Sequence, residues 1–181
     1  MKTFWLGKVL FAIGVSSLMV TSLEAQAPEK TSSYLTPIAF FTAHEWDAKL
    51  PDSPEGRKRK IHAQFTWSRN GQAIHISNQF VIDGKARPYV DGLYAWDPQR
   101  QAIAFLYVDA DGNLTKGTVK MQAGELIHEF EEIGADGKSS AYLAKVTPHG
   151  EQSWDNEILA RHGSDLKPIV KVTYEVADGR E

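Results

Sequence analysis

Residues 61–80 read IHAQFTWSRNGQAIHISNQF: two runs of alternating apolar and polar residues about Asn70-Gly71. Alternation with a period of two marks a strand, and Asn-Gly between two such runs marks a β-hairpin. A two-residue turn there pairs Arg69 with Gln72, Trp67 with Ile74, Phe65 with Ile76, Ala63 with Asn78 and Ile61 with Phe80. One face then carries Ile61, Ala63, Phe65, Trp67, Ile74, Ile76, Asn78 and Phe80. The other carries His62, Gln64, Thr66, His75, Ser77 and Gln79. The apolar face points to a core. On this reading Thr66–His75 and His62–Gln79 are surface pairs.

The same rhythm continues along the chain. Expected strands are 44–50, 59–69, 72–82, 89–97, 101–109, 114–121, 125–133, 139–147, 151–162 and 168–176. Asp83-Gly84, Asp111-Gly112, Ala123-Gly124, Asp136-Gly137 and His149-Gly150 stand among the turns between them. Short strands of even spacing with Gly-containing turns make an antiparallel meander. No helical period is long enough for a crossover helix, so a parallel sheet is not expected. The fold class is all-β. About nine or ten strands should close as an up-and-down barrel and leave no open edges, a two-sheet sandwich being the other solution. Thr36-Pro37 suggests an N-cap and a first helical turn, with one or two turns over Ile38–Ala43.

Lys2 and Lys8 precede an uncharged, mostly apolar run from Val9 to Leu23, and Ala25-Gln26-Ala27 offers small residues for cleavage. Residues 1–27 therefore read as a secretory signal peptide. Residues 28–34 read as a polar, flexible arm and 35–178 as a single domain. The 181 residues contain no cysteine. An exported protein without disulfides is held together by its core alone, and thiol chemistry is excluded. Export without disulfides suggests a bacterial periplasm. The net charge of −3 carries no electrostatic argument for nucleic acid or an anionic membrane. Arg57-Lys-Arg-Lys60 reads as a solvated loop before a strand.

His44-Glu-Trp46, after a short helix and at the start of the first strand, resembles the Gly-x-Trp signature of lipocalin-like (calycin) barrels, with His44 at the glycine position. Tyr94-Ala-Trp-Asp-Pro98, Ala102-Ile-Ala-Phe-Leu-Tyr107 and Asp111-Gly-Asn113 resemble a group of uncharacterised exported bacterial lipocalin-like proteins. The resemblance spans most of residues 35–176. It implies a barrel plugged at one end by Trp46, with an apolar cavity that either fills with its own side chains or holds one small ligand.

Four polar residues fall in the apolar phase: Asn78, Asp91 between Tyr89 and Leu93, His128 between Leu126 and Phe130, and Asn156 between Trp154 and Ile158. Burying such groups costs about 1–3 kcal/mol each unless they find partners. The expected ligand-binding residues are Phe65, Trp67, Ile76, Asn78, Phe80, Leu126, His128, Phe130 and Asn156, the polar ones orienting a small apolar molecule. No cofactor is expected. No His-Glu-x-x-His or His-x-His spacing suggests a metal site, and His128 and Glu129 face opposite ways. No Gly-x-Ser-x-Gly or phosphate loop is present. An interior His128 with Asp91 would suit proton transfer in an isomerase, lyase or hydrolase. A filled structural or protein-binding module is the third reading.

Overall fold

The computed structural model describes residues 30–178, and the signal-peptide reading of residues 1–27 lies outside them. The ten strands are β1 (Trp46–Leu50), β2 (Arg59–Trp67), β3 (Ala73–Ile82), β4 (Lys85–Asp97) and β5 (Ala102–Asp109), then β6 (Leu114–Gln122), β7 (Glu125–Ile133), β8 (Ser139–His149), β9 (Ser153–His162) and β10 (Asp165–Val176). Each pairs antiparallel with the next, and β1 pairs with both β2 and β10, so the sheet closes as a barrel. The sandwich alternative is thereby set aside.

The opening hairpin keeps its expected register: Trp67 faces Ile74, Phe65 faces Ile76, Ala63 faces Asn78 and Ile61 faces Phe80. Its turn is wider than expected. Ser68 N–H donates to the Ala73 carbonyl at 2.8 Å, and Gly71 N–H to the Ser68 carbonyl at 2.8 Å. Gly71 has φ +68°, but Asn70 is not in the left-handed region, so this is not a two-residue primed turn, whose first residue must have positive φ. The residue count across the loop is even, and the facing of every side chain survives. True two-residue turns with both residues left-handed occur at Asp83-Gly84 and Ala123-Gly124.

A 3₁₀ helix, Ser33–Ala43, caps one end of the barrel. It starts earlier than expected, so Ser33 and Tyr34 belong to the helix and not to an arm, and Thr36 is not its N-cap. Leu35, Ile38 and Phe41 are its buried residues. They recur every third residue, which places them on one line of a helix with three residues per turn. Phe41 stacks on Phe65 with ring centres 4.6 Å apart and meets Trp154 edge-on at 5.0 Å. Trp46, only 1% exposed, donates its indole N–H to the Phe41 carbonyl at 2.8 Å. Tyr34 stacks on Trp96. Ser32 N–H donates to the Gly71 carbonyl at 2.8 Å, which ties the start of the helix to the β2–β3 turn. Since the strands alternate in direction, the loops after β2, β4, β6 and β8 share this closed end. The loops after β1, β3, β5, β7 and β9 form the opposite end. Among the described residues no helix is long and apolar enough to cross a membrane.

Candidate functional site

The barrel interior encloses a cavity of about 430 Å³, running from Phe41 and Trp154 toward Tyr89, Asp109, Glu132 and Ile169 at the far end. This lies within the range of small-molecule sites, roughly 300–1,000 Å³. Two inward positions are glycines. A methyl group on Gly92 would lie 2.3 Å from the Leu106 carbonyl oxygen and from Tyr107 Cβ. One on Gly117 would lie 2.3 Å from the Glu129 carbonyl oxygen and 2.6 Å from Phe130 Cβ. Glycine lets the wall bend tightly there and leaves the space to neighbouring rings.

The lining is aromatic. Five of the six tyrosines contribute, namely Tyr89, Tyr94, Tyr107, Tyr142 and Tyr174, with five phenylalanines and Trp154. Trp154 stacks on Tyr174 with ring centres 3.9 Å apart. Burial pushes the phenols of Tyr94 and Tyr174 well above the ordinary range and that of Tyr107 up to about 12, so all three stay neutral at physiological pH.

Polar atoms without partners converge on this cavity. Asn78 Oδ1, His128 Nδ1, Trp154 Nε1 and Asn156 Oδ1 are buried and have no hydrogen-bond partner among the described residues, and all four residues line the cavity. His128, on β7, is 6% exposed and packs edge-on against Phe105 at 5.5 Å and Tyr94 at 6.1 Å. Burial lowers its pKa from 6.5 to about 4. The Leu126 backbone works the other way to a smaller extent, without hydrogen-bond geometry to Nδ1. The imidazole is therefore neutral at physiological pH and can accept a hydrogen bond at one ring nitrogen and donate one at the other.

Of the residues expected at the site, Phe65, Ile76, Asn78, Phe80, His128, Phe130 and Asn156 line the cavity. Trp67 packs against the core outside it. Leu126 is fully buried beside a smaller hollow under the helix, with Tyr34, Pro37 and Trp96. Asp91 is corrected: it is exposed on the outer wall, level with Ser77 and Val108. The cause is a bulge. Val90 faces Asn78 while Pro88 faces Gln79, so Tyr89 is an extra residue and the phase flips beyond it. Tyr89 and Val90 both reach the cavity, Gly92 and Tyr94 follow on the inner face, and Asp91 turns out. The expected His128–Asp91 proton-transfer pair does not form. A similar bulge on β10 between Pro168 and Val170 brings both Ile169 and Val170 to the cavity.

Sequence reasoning missed the tyrosines and Trp154. Tyr94 was hidden by the bulge, and Tyr107, Tyr142 and Tyr174 lie in strands whose phase is legible only once their neighbours are paired. Among the described residues no cluster of three or more His, Asp or Glu is arranged to hold a metal. Of the basic run, Lys58 pairs with Asp52, Arg59 donates to the Pro51 carbonyl and Lys60 pairs with Asp47.

The barrel has a counterpart of known structure. The crystal structure of Rv2717c from M. tuberculosis superposes with a TM-score of 0.54 at 10% sequence identity, covering 82% of this chain and 100% of that one. The likeness shows the fold alone. No family model matches the chain, and no curated protein matches it.

Proposed function

We propose that the barrel binds one small, largely apolar molecule in its interior, as a lipocalin-like carrier exported to the periplasm. The observation that carries this reading is the convergence of four buried, unpartnered polar atoms on one aromatic cavity. Leaving a buried donor or acceptor unpaired costs about 1–3 kcal/mol. Four in one cavity are a standing cost to the fold that a ligand with complementary groups offsets. Phe65, Ile76, Phe80 and Phe130 supply apolar wall, while Asn78, His128, Trp154 and Asn156 orient the ligand. Export rests on the pattern of Lys2, Lys8 and the apolar run before Ala27.

Native mass spectrometry of the protein purified gently from its host tests the reading. The expected result is a stoichiometric added mass that is released on denaturation. A bare protein mass, with no uptake of an environment-sensitive apolar fluorophore by the same sample, refutes it.

A further inference from the structure

The far end of the cavity has a charge pattern that the apolar body of a ligand does not explain. Glu132 lies on the inner face of β7, in the row Tyr107–Thr115–Glu132 across β5, β6 and β7. Its neighbour Glu131 belongs to the other face and pairs with Lys116 at 2.9 Å. Glu132 has no hydrogen bond or ion pair of its own among the described residues. Asp109, two residues past Tyr107 on β5, also lines the cavity. Its carboxylate accepts from Asp111 N–H, Asn113 N–H and Asn113 Nδ2, and from no cation. Among the described residues no lysine or arginine lines the cavity. Inward charges can guard the edge of an open sheet, but a closed barrel has no edge to guard.

We propose that the cavity takes an amphiphile with a neutral, ring-bearing body in the barrel and an ammonium head at the mouth beside Asp109 and Glu132. This rests on the ligand-binding reading above and names the ligand's chemistry. The two carboxylates supply countercharge. Tyr89 and Tyr107, which line the same end, offer ring faces on which an ammonium is favourable. Deeper in, His128 Nδ1 and Trp154 Nε1 are unpartnered on side chains 6% and 4% exposed, so the body carries polar atoms there as well. A carboxylate head, as in a fatty acid, would meet two like charges and no lysine or arginine among the residues that line the cavity, and His128 is too weak a base to supply a cation.

Calorimetric titration of the purified protein with phenylhexylamine, phenylhexanol and phenylhexanoate at neutral pH tests this. The three share one body and differ in the head. The amine should bind about tenfold tighter than the alcohol, the size of effect that a part-exposed ion pair with an aromatic face gives, and the carboxylate should bind weakest. Glu132→Gln removes no intramolecular partner, and it should cut the amine-to-alcohol ratio to about threefold or less, since one of two carboxylates remains. If the alcohol binds and the amine gains nothing over it, the charge inference is overturned while the carrier reading stands. A carboxylate that binds as well as the amine overturns it too. If none of the three binds, the charge inference is overturned, and the carrier reading is decided separately by native mass spectrometry and fluorophore uptake.

Discussion

His128 makes stability depend on pH in a way that can be calculated. Its ring is buried, faces neutral tyrosines and phenylalanines, and has an unpartnered Nδ1. Folding lowers its pKa from 6.5 to about 4. Acid therefore protonates the unfolded chain first. Stability from the neutral ring is complete above pH 6.5, falls as the pH drops toward 4, and changes no further below that. The gap between 6.5 and about 4, at about 1.4 kcal/mol per pH unit, predicts a loss of roughly 3 kcal/mol. His128→Leu keeps a similar volume and removes the titration. Urea unfolding of both proteins, followed by tryptophan fluorescence from neutral pH to pH 4, measures the difference. Asp109 and Asp155 have carboxyls held below the usual 3.8. For Asp109 burial opposes the shift but the turn hydrogen bonds outweigh it, and for Asp155 the Thr173 hydroxyl leads. Both titrate below this window and are common to the two proteins. The variant should gain roughly 3 kcal/mol over the wild type across the window. Parallel curves would refute the reasoning: the folded ring would then hold its proton as readily as the unfolded one, and the dry, unpartnered environment would be wrong.

Three further changes probe the wall and the turns. Gly117→Ala should lower unfolding free energy by about 2–4 kcal/mol, because the new methyl collides with β7 backbone and Phe130 Cβ and not with a flexible side-chain end; an unchanged urea midpoint would show that the strand yields. Ala123 sits at φ 51° in a two-residue turn, where asparagine is favoured, so Ala123→Asn should raise stability by about 0.5–1 kcal/mol in the same assay, and a loss would contradict the turn assignment. Asn156→Leu should stabilise the ligand-free barrel by about 1 kcal/mol by removing an unpaired buried carbonyl, yet weaken uptake of an apolar probe that uses that group; stabilisation with undiminished uptake would remove Asn156 from the site.

Alternation within residues 61–80 determined the facing of β2 and β3, because side chains on a strand alternate whatever the turn does, and the wider Ser68–Ala73 loop left that pattern intact. The number of turn signals determined the number of strands, and Asn78, His128 and Asn156 stood out because each is polar in an apolar phase. That Trp46 plugs one end was implied only by the resemblance of His44-Glu-Trp46 to a Gly-x-Trp signature; its burial beneath the helix is a product of the fold. What local pattern could not supply is any property that depends on pairing between strands. In β4 both phases are apolar, so only the bulge at Tyr89 decides that Tyr94 faces in and Asp91 faces out. The tyrosine-rich lining, the placing of Asp109 and Glu132 in one cavity wall, and the cavity of about 430 Å³ arise from the curvature of a closed ten-strand wall. Volume is the difference between the space such a wall encloses and the side chains that enter it, and neither quantity is local to any stretch of the chain.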